Sequence, residues 1–371
     1  MVSDFQPRAT NPIIKISDIA YLRFGRRDVA QACRYFQDFG LVESARDKGR
    51  IYFRGILPQH HFVIIEPTRH DEFLALGLRA ETHDDLLNLA KATARLIEQS
   101  AEPGGGNRII LTDPSGLRVE VIHGLEELPA LPHREARPAN GPSMRPRVNK
   151  PQPTLAAPAE VFRLGHVVLQ RQEFARNANW YIKTFGLIAS DVEVLPDSKE
   201  AVLTFLRCDR GPDPADHHTI VIAAGPQDAY DHAAFETLDL DSVALGGEWL
   251  QHQGWVKSWG VGRHVLGSQL FSYHYDPSGF AVEHYTDGDL FDADYPTRYH
   301  PTGKSGLYAW GPDLPPYFID LSPSFALIAA IIRGLRTRSE FTLARLAAMK
   351  KAFDAPARPW VGKRFQKPKA S

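Results

Sequence analysis

Six ionisable side chains in the second half of this 371-residue sequence are of types that do metal or proton chemistry. His166 sits in LGHVVL, His217 and His218 open HHTIVIA, His232 lies in YDHAAFE, His264 in GVGRHVLGSQ, and Glu283 in FAVEHY. Nine of the 15 histidines fall between His166 and His300, so the enrichment is local. Two neutral imidazoles and one carboxylate on one face of an octahedral ion leave positions open for a substrate and a gas, the arrangement of non-haem Fe(II) oxygenases. Such a donor set also leaves a ferrous ion with a net charge that an anionic substrate can neutralise. A single strand histidine is more often a hydrogen-bonded core or surface residue, and that plain reading is kept for His217, His252, His274, His284 and His300. Of these, His274 and His284 are candidates for the rim of a pocket.

The elements that must position these groups occur twice. Residues 109–120 read IILTDPSGLRVE and residues 272–283 read SYHYDPSGFAVE. Upstream, RYFQDFGLVES (34–44) resembles WYIKTFGLIAS (180–190), and HHFVIIE (60–66) resembles HHTIVIA (217–223). The matches keep their order while their offsets widen from 146 through 157 to 163, which implies loop insertions in the second copy. Two homologous halves follow, 12–125 and 161–290. Eight prolines between 126 and 160 block regular structure there and mark a linker or surface strap. Apolar runs of strand length such as AYLRF, IYFRGI, HFVIIE, RIILT and RVEVI alternate with helical stretches at 28–38 and 84–98. Each half reads as strand–helix–strands twice over, an α+β fold of small repeated modules. DPSG at 113–116 and 276–279 is a tight-turn signal. No GxGxxG follows a strand, which disfavours a dinucleotide-binding sheet.

Composition narrows the function classes. Lys+Arg number 43 against 44 Asp+Glu, so no bulk charge draws the chain to nucleic acid or an anionic membrane. Cys33 and Cys208 are too few for a disulfide framework. No secretory signal and no membrane-spanning apolar run is visible, so a cytoplasmic location is expected. The 300–371 extension carries an aromatic, Pro/Gly-rich segment, GLYAWGPDLPPYF (306–318), then an amphipathic helix expected over about 322–352.

These residues resemble a known family. Gly262-Arg263-His264, then Tyr273-His274-Tyr275-Asp276-Pro277-Ser278-Gly279, then Glu283 are similar to the C-terminal signature of the type I extradiol ring-cleaving dioxygenases of the vicinal oxygen chelate superfamily. Gly165-His166 and the HHTI segment match as well, and Ser272 departs from the aliphatic or Phe residue usual there. The resemblance covers roughly 12–290, with the specific motifs confined to the second half. It implies paired βαβββ modules in two homologous domains, and a catechol ring opened beside its diol by O2 with no external reductant. It also implies metal ligands His166, His232 and Glu283, an acid/base His218, a hydrogen-bonding His264, and a Tyr273 that meets a substrate oxygen. Fe(II) is the implied ion, with Mn(II) as the variant, in an expected homo-oligomer.

The first half acts as an internal control. The 146 offset maps His166 onto Ala20, His232 falls near Asp71, Tyr273 meets Ile110, and Glu283 meets Glu120. A non-catalytic first domain is the expectation. Alternatives on the same scaffold are a 4-hydroxyphenylpyruvate dioxygenase-like enzyme, a glyoxalase-like isomerase, and a ligand-binding protein. The 306–318 segment reads equally as a strap at a subunit interface and as a lid over the pocket.

Overall fold

A computed structural model describes residues 5–152, 155–316 and 325–355. The first strand of each half, Ile16–Arg26 and Val161–Arg171, is long and almost wholly buried. Strands buried on both faces in this way occupy the centre of a sheet. Each is followed by an amphipathic helix, Val29–Phe39 or Phe174–Phe185. Both helices stop at a glycine in the left-handed region, Gly40 or Gly186, where a side chain would be strained.

In the first half, Val42–Asp47, Arg50–Arg54 and Val63–Pro67 complete one βαβββ module, whose last strand lies parallel to Ile16–Arg26. The second module comprises Glu72–Ala80, the helix His83–Thr93, and the strands Glu98–Gln99, Asn107–Thr112 and Arg118–His123. Ile16–Arg26 and Glu72–Ala80 pair antiparallel and join the modules into an eight-stranded sheet.

The second half repeats this plan. Val161–Arg171 pairs antiparallel with Ala229–Thr237, and Ile220–Ala224 and Ala281–Thr286 lie parallel to the first strands of their modules. Ile188–Val194, Ala201–Arg207, the helix Leu240–His252, Lys257–Arg263 and Leu270–Tyr275 fill the remaining places. Arg298–Pro301 adds a ninth strand at the edge beside Ile188–Val194. The two central pairs share their irregularities. The register shifts at Ile16/Asp18, Ile19/Tyr21 and Arg23/Phe24 recur at Val161/Arg163, Leu164/His166 and Val168/Leu169.

The cores of the halves are continuous. Phe39 and Phe62 each pack on Phe235, and Phe24 packs on Tyr230 and Phe280. Two buried ion pairs cross the junction reciprocally. Arg26, at the end of the first strand, donates to Asp276 Oδ2 at 2.7 Å, and its counterpart Arg171 donates to Asp113 Oδ2 at 2.9 Å. Each aspartate opens a DPSG turn. Its other oxygen accepts two amides of that turn, from Ser115 and Leu117 or from Ser278 and Phe280. One carboxylate thus holds the turn of its own half and the strand end of the other.

The described residues of 126–160 form no helix and contribute no strand to either sheet. Arg134 ties this strap to Glu160 at 2.8 Å and to Asp239 at 2.5 Å. The extension differs from the single helix expected over 322–352. Two helices, Phe325–Thr337 and Leu343–Asp354, are separated by a break at which Thr342 caps the second by accepting from the Arg345 amide. A threonine hydroxyl that satisfies a backbone amide favours a new helix start over continuation. Residues 322–324 lie outside the described residues, as do Tyr317 and Phe318. Among the described residues no helix is long and apolar enough to cross a membrane.

Breaking one partner of a buried ion pair strands the other charge. Asp113→Ala should therefore lower unfolding stability by about 3–5 kcal/mol in denaturant titrations. Glu193 gives a pH-dependent test. It is buried, accepts from Thr302 Oγ1 at 2.6 Å, and burial pushes its carboxyl up to about 7. The unfolded chain ionises this group from about 4.5, so stability should fall as pH rises from 4.5 to 7, by on the order of 3 kcal/mol. Glu193→Gln should remove that slope.

Candidate active site

The second sheet places one row of side chains across adjacent strands. Trp259 is opposite Tyr273, Tyr273 opposite Glu283, Glu283 opposite Ala234, and Ala234 opposite His166. Residues in register on neighbouring strands share a face, and so does His232, two residues before Ala234. Ala234 ends at its Cβ, which leaves room between His166 and Glu283. Gly165 allows the row to close, because a Cβ there would meet the Tyr285 hydroxyl at 2.0 Å.

His166, His232 and Glu283 come together with one ligand atom each within 4.8 Å of the others. Glu283 Oε2 lies 3.5 Å from Nε2 of both histidines, and Oε1 lies 3.6 Å from His264 Nε2. These separations exceed a good hydrogen bond, and neither oxygen has one. The two 3.5 Å separations suit donors that share one ion at roughly 2.0–2.2 Å. Glu283 is 0% exposed. Burial raises its pKa, but the neighbouring His166 and His264 outweigh that and hold the carboxyl well below its usual range. Burial lowers the pKa of His166, so the ring is neutral and able to ligate. For His232, burial also opposes charge, yet Asp231 and Glu283 prevail and raise its pKa. Asp231 Oδ1 is 2.7 Å from His232 Nδ1, a carboxylate–histidine contact that aims Nε2 at the site.

The other expected residues flank this centre. The His218 ring packs 4.1 Å from the His166 ring, and burial drives its pKa well below the ordinary value. Tyr273 OH lies 3.0 Å from His264 Nε2, and burial raises the phenol well above its normal pKa. His264 Nδ1 donates to the Leu307 carbonyl at 2.6 Å. The extension thus reaches the site: Ala309 and Trp310 pair with Arg263, and Tyr308 packs edge-on to Trp259. Trp259 Nε1 donates to the Pro312 carbonyl at 2.9 Å.

Several expectations need correction. His166 does not correspond to Ala20. Tyr21 is opposite Gly77 and Gly77 opposite Glu120, as His166 is opposite Ala234 and Ala234 opposite Glu283. The same register makes Ala75, not Asp71, the counterpart of His232. The one-residue error comes from applying an offset measured at the helix end to the strand before it. His274 and His284 do not line a rim. Both are fully buried on the opposite face, where His284 meets the Phe39 carbonyl and His274 meets Ser272. His217 and His218 are in contact, Nδ1 to Nδ1 at 2.8 Å, since both precede the strand Ile220–Ala224 and its alternation does not reach them.

The first half shows what the same carboxylate does among guanidinium groups. Glu120 is also 0% exposed. It accepts from Tyr21 at 2.7 Å and Arg108 at 3.0 Å, and pairs with Arg118 at 2.9 Å. The residues matching Arg108 and Arg118 in the second half are Phe271 and Ala281, and Val168 matches Arg23. Among the described residues Glu283 therefore has no guanidinium, and a divalent cation between it and the two imidazoles is the charge that fits. Asp231 and Ala234 were invisible as site residues in the sequence, since a carboxylate beside a histidine and an alanine in a strand are both commonplace.

The sequence model of the Glyoxalase/Bleomycin resistance protein/Dioxygenase superfamily matches residues 163–284. "Metapyrocatechase 2" of Cupriavidus necator is 31% identical, over 62% of this chain and 68% of the relative. "3-Methylcatechol 2,3-dioxygenase" of Pseudomonas putida is 24% identical, over 73% of this chain and 90% of its own. Among solved structures, homoprotocatechuate 2,3-dioxygenase from Arthrobacter globiformis superposes with a TM-score of 0.69 at 19% identity, covering 86% of this chain and 95% of that one.

Total metal analysis should give one equivalent per chain, none in Glu283→Ala, and one still in Glu120→Ala. Two equivalents in the wild type would refute the asymmetry between the halves.

Proposed function

We propose, for a chain that belongs to the extradiol catechol dioxygenases of the Glyoxalase/Bleomycin resistance protein/Dioxygenase superfamily, that His166, His232 and Glu283 hold Fe(II) and that the row around them opens a catechol ring beside its diol. Mn(II) is the variant ion for the same donors. The observation that carries this reading is Glu283, a fully buried carboxylate within reach of two imidazoles and with no guanidinium partner among the described residues. When bound, the metal supplies the electronic link between an electron-rich ring and O2.

The protein's own groups do the rest. Two neutral imidazoles and one carboxylate leave a divalent centre with a net positive charge, which favours a catechol bound as an anion. His218 takes the proton that a substrate hydroxyl must lose and later returns it as general acid. Its buried setting keeps the free ring neutral and ready to accept. Tyr273 and His264 meet a substrate oxygen, and the Leu307 carbonyl fixes the His264 ring by accepting from Nδ1. Trp259, Phe271 and Tyr308 form an apolar cluster with Tyr273 that excludes water from this side. Both oxygen atoms enter the product, a muconic semialdehyde-type chain.

A 4-hydroxyphenylpyruvate dioxygenase-like reaction would need an α-keto acid and would leave His218 and Tyr273 without a role. Anaerobic loading with Fe(II), then a catechol panel without keto acid, should give oxygen uptake equal to substrate consumed and a yellow product. His218→Gln should keep metal and catechol binding while turnover falls by about 10²–10⁴-fold. Unchanged turnover would remove His218 from the mechanism.

A further inference from the structure

Beside His218 lies a second buried histidine that the reaction described above leaves unused. His217 is 1% exposed, its Nε2 is 2.7 Å from Asp191 Oδ2, and its Nδ1 is 2.8 Å from His218 Nδ1. Asp191 is itself fully buried on the strand Ile188–Val194. Arg298 donates to it from Nε at 2.8 Å and from Nη2 at 2.7 Å, and His300 Nε2 lies at 2.9 Å. Burial alone would push the Asp191 carboxyl up, but the bonds from His217, Arg298 and His300 win and hold it well below the usual range.

Hydrogen-bond direction then propagates along the chain of groups. An ionised carboxylate only accepts, so His217 carries its proton on Nε2. A neutral imidazole protonated there has a lone pair on Nδ1, which must accept from His218 Nδ1–H. With Nδ1 committed, Nε2 is the one nitrogen of His218 left to meet a substrate, and it presents a lone pair. We propose that Asp191 and His217 are positioning residues that fix His218 in the tautomer able to accept a proton from the substrate hydroxyl. This rests on His218 being the acid/base of the site.

The internal repeat separates this role from simple packing. The first half keeps the histidine pair, with His60 Nδ1 and His61 Nδ1 2.9 Å apart. The counterpart of Asp191 is Ala45, opposite Tyr52 as Asp191 is opposite Phe205. Arg298 and His300 come from an edge strand that the first sheet does not have. Among the described residues the first pair therefore packs with no carboxylate hydrogen-bonded to it, and the hydrogen-bonded carboxylate belongs to the half with the three convergent groups.

The test uses the full-length chain. In metal-free protein labelled with 15N-histidine, the His218 signals, assigned by their loss in His218→Gln, should show a protonated Nδ1 and a bare Nε2. The opposite tautomer would overturn the proposal, whether or not any catechol is turned over. In the Fe(II)-loaded enzyme, His217→Leu should lower kcat by at least about 10-fold with KM changed by less than about 3-fold, the pattern of a misdirected base. His217→Gln should restore most of that loss, because its amide donates to Asp191 and accepts from His218 Nδ1–H. A leucine variant as fast as wild type, or a glutamine variant as slow as the leucine one, would overturn the assignment. Absence of catechol turnover in the wild type would instead sink the functional reading and leave the 15N result standing.

Discussion

A buried carboxylate that stays ionised needs positive charge beside it, and the two halves answer this at one repeated position in two ways. Glu120 and Glu283 occupy the same place in the repeat, at the same register and with the same lack of exposure. An uncompensated buried charge costs several kcal/mol, so neither can stand alone. In the first half, Arg108, Arg118 and the Tyr21 hydroxyl surround the glutamate and fill the space between the strands. In the second, the matching positions hold Phe271, Ala281 and His166, none of which supplies a guanidinium. One half makes its carboxylate the centre of an ion-pair network, and the other sets it beside two imidazoles.

The first half remains part of the working protein through packing. Arg26 and Arg171 reach across the junction to Asp276 and Asp113, and the aromatic core runs unbroken from Phe39 and Phe62 to Phe235. Asp276 belongs to the turn that links the Tyr273 strand to the Glu283 strand. The site's position thus depends on an arginine from the half that lacks it. Burial raises the Asp276 carboxyl above its ordinary range, and Arg26 with two amides opposes that rise, so the clasp is also what favours the charged form.

The residues that converge were legible because their types are unusual for their elements: histidines on buried strands and a glutamate in an apolar run. DPSG was legible because proline and glycine restrict the backbone strongly. What failed was register. The pairing of Tyr21 with Gly77 lies one residue from the Ala20 expected, and a slip of one moves every side chain to the other face. The single inserted residue lies between strand and helix end, where no motif marks it. The contact between His217 and His218 was illegible for a related reason. HHTIVIA has strand composition, but pairing begins only at Ile220, and alternation has no force before that point. The helix break before Leu343 turns on one threonine hydroxyl, a signal too common to be decisive within 30 residues of helical composition.

The extension illustrates how a site is finished by chain outside the repeat. The open edge of the Lys257–Arg263 strand exposes backbone donors and acceptors, and residues 309–310 satisfy those of Arg263. The same stretch presents the Leu307 carbonyl to His264 and the Tyr308 ring to Trp259. Arg298–Pro301 does the equivalent at the opposite edge, where it brings Arg298 and His300 onto Asp191. Both edges of the sheet are capped by chain that follows the Glu283 strand, and each cap delivers a hydrogen-bond partner to the histidine system from its own side. His264 is oriented through one cap, His218 through the other. The two histidines flanking His166, His232 and Glu283 therefore take hydrogen-bond partners, directly or through His217 and Asp191, from segments with no counterpart among the described residues of the first half.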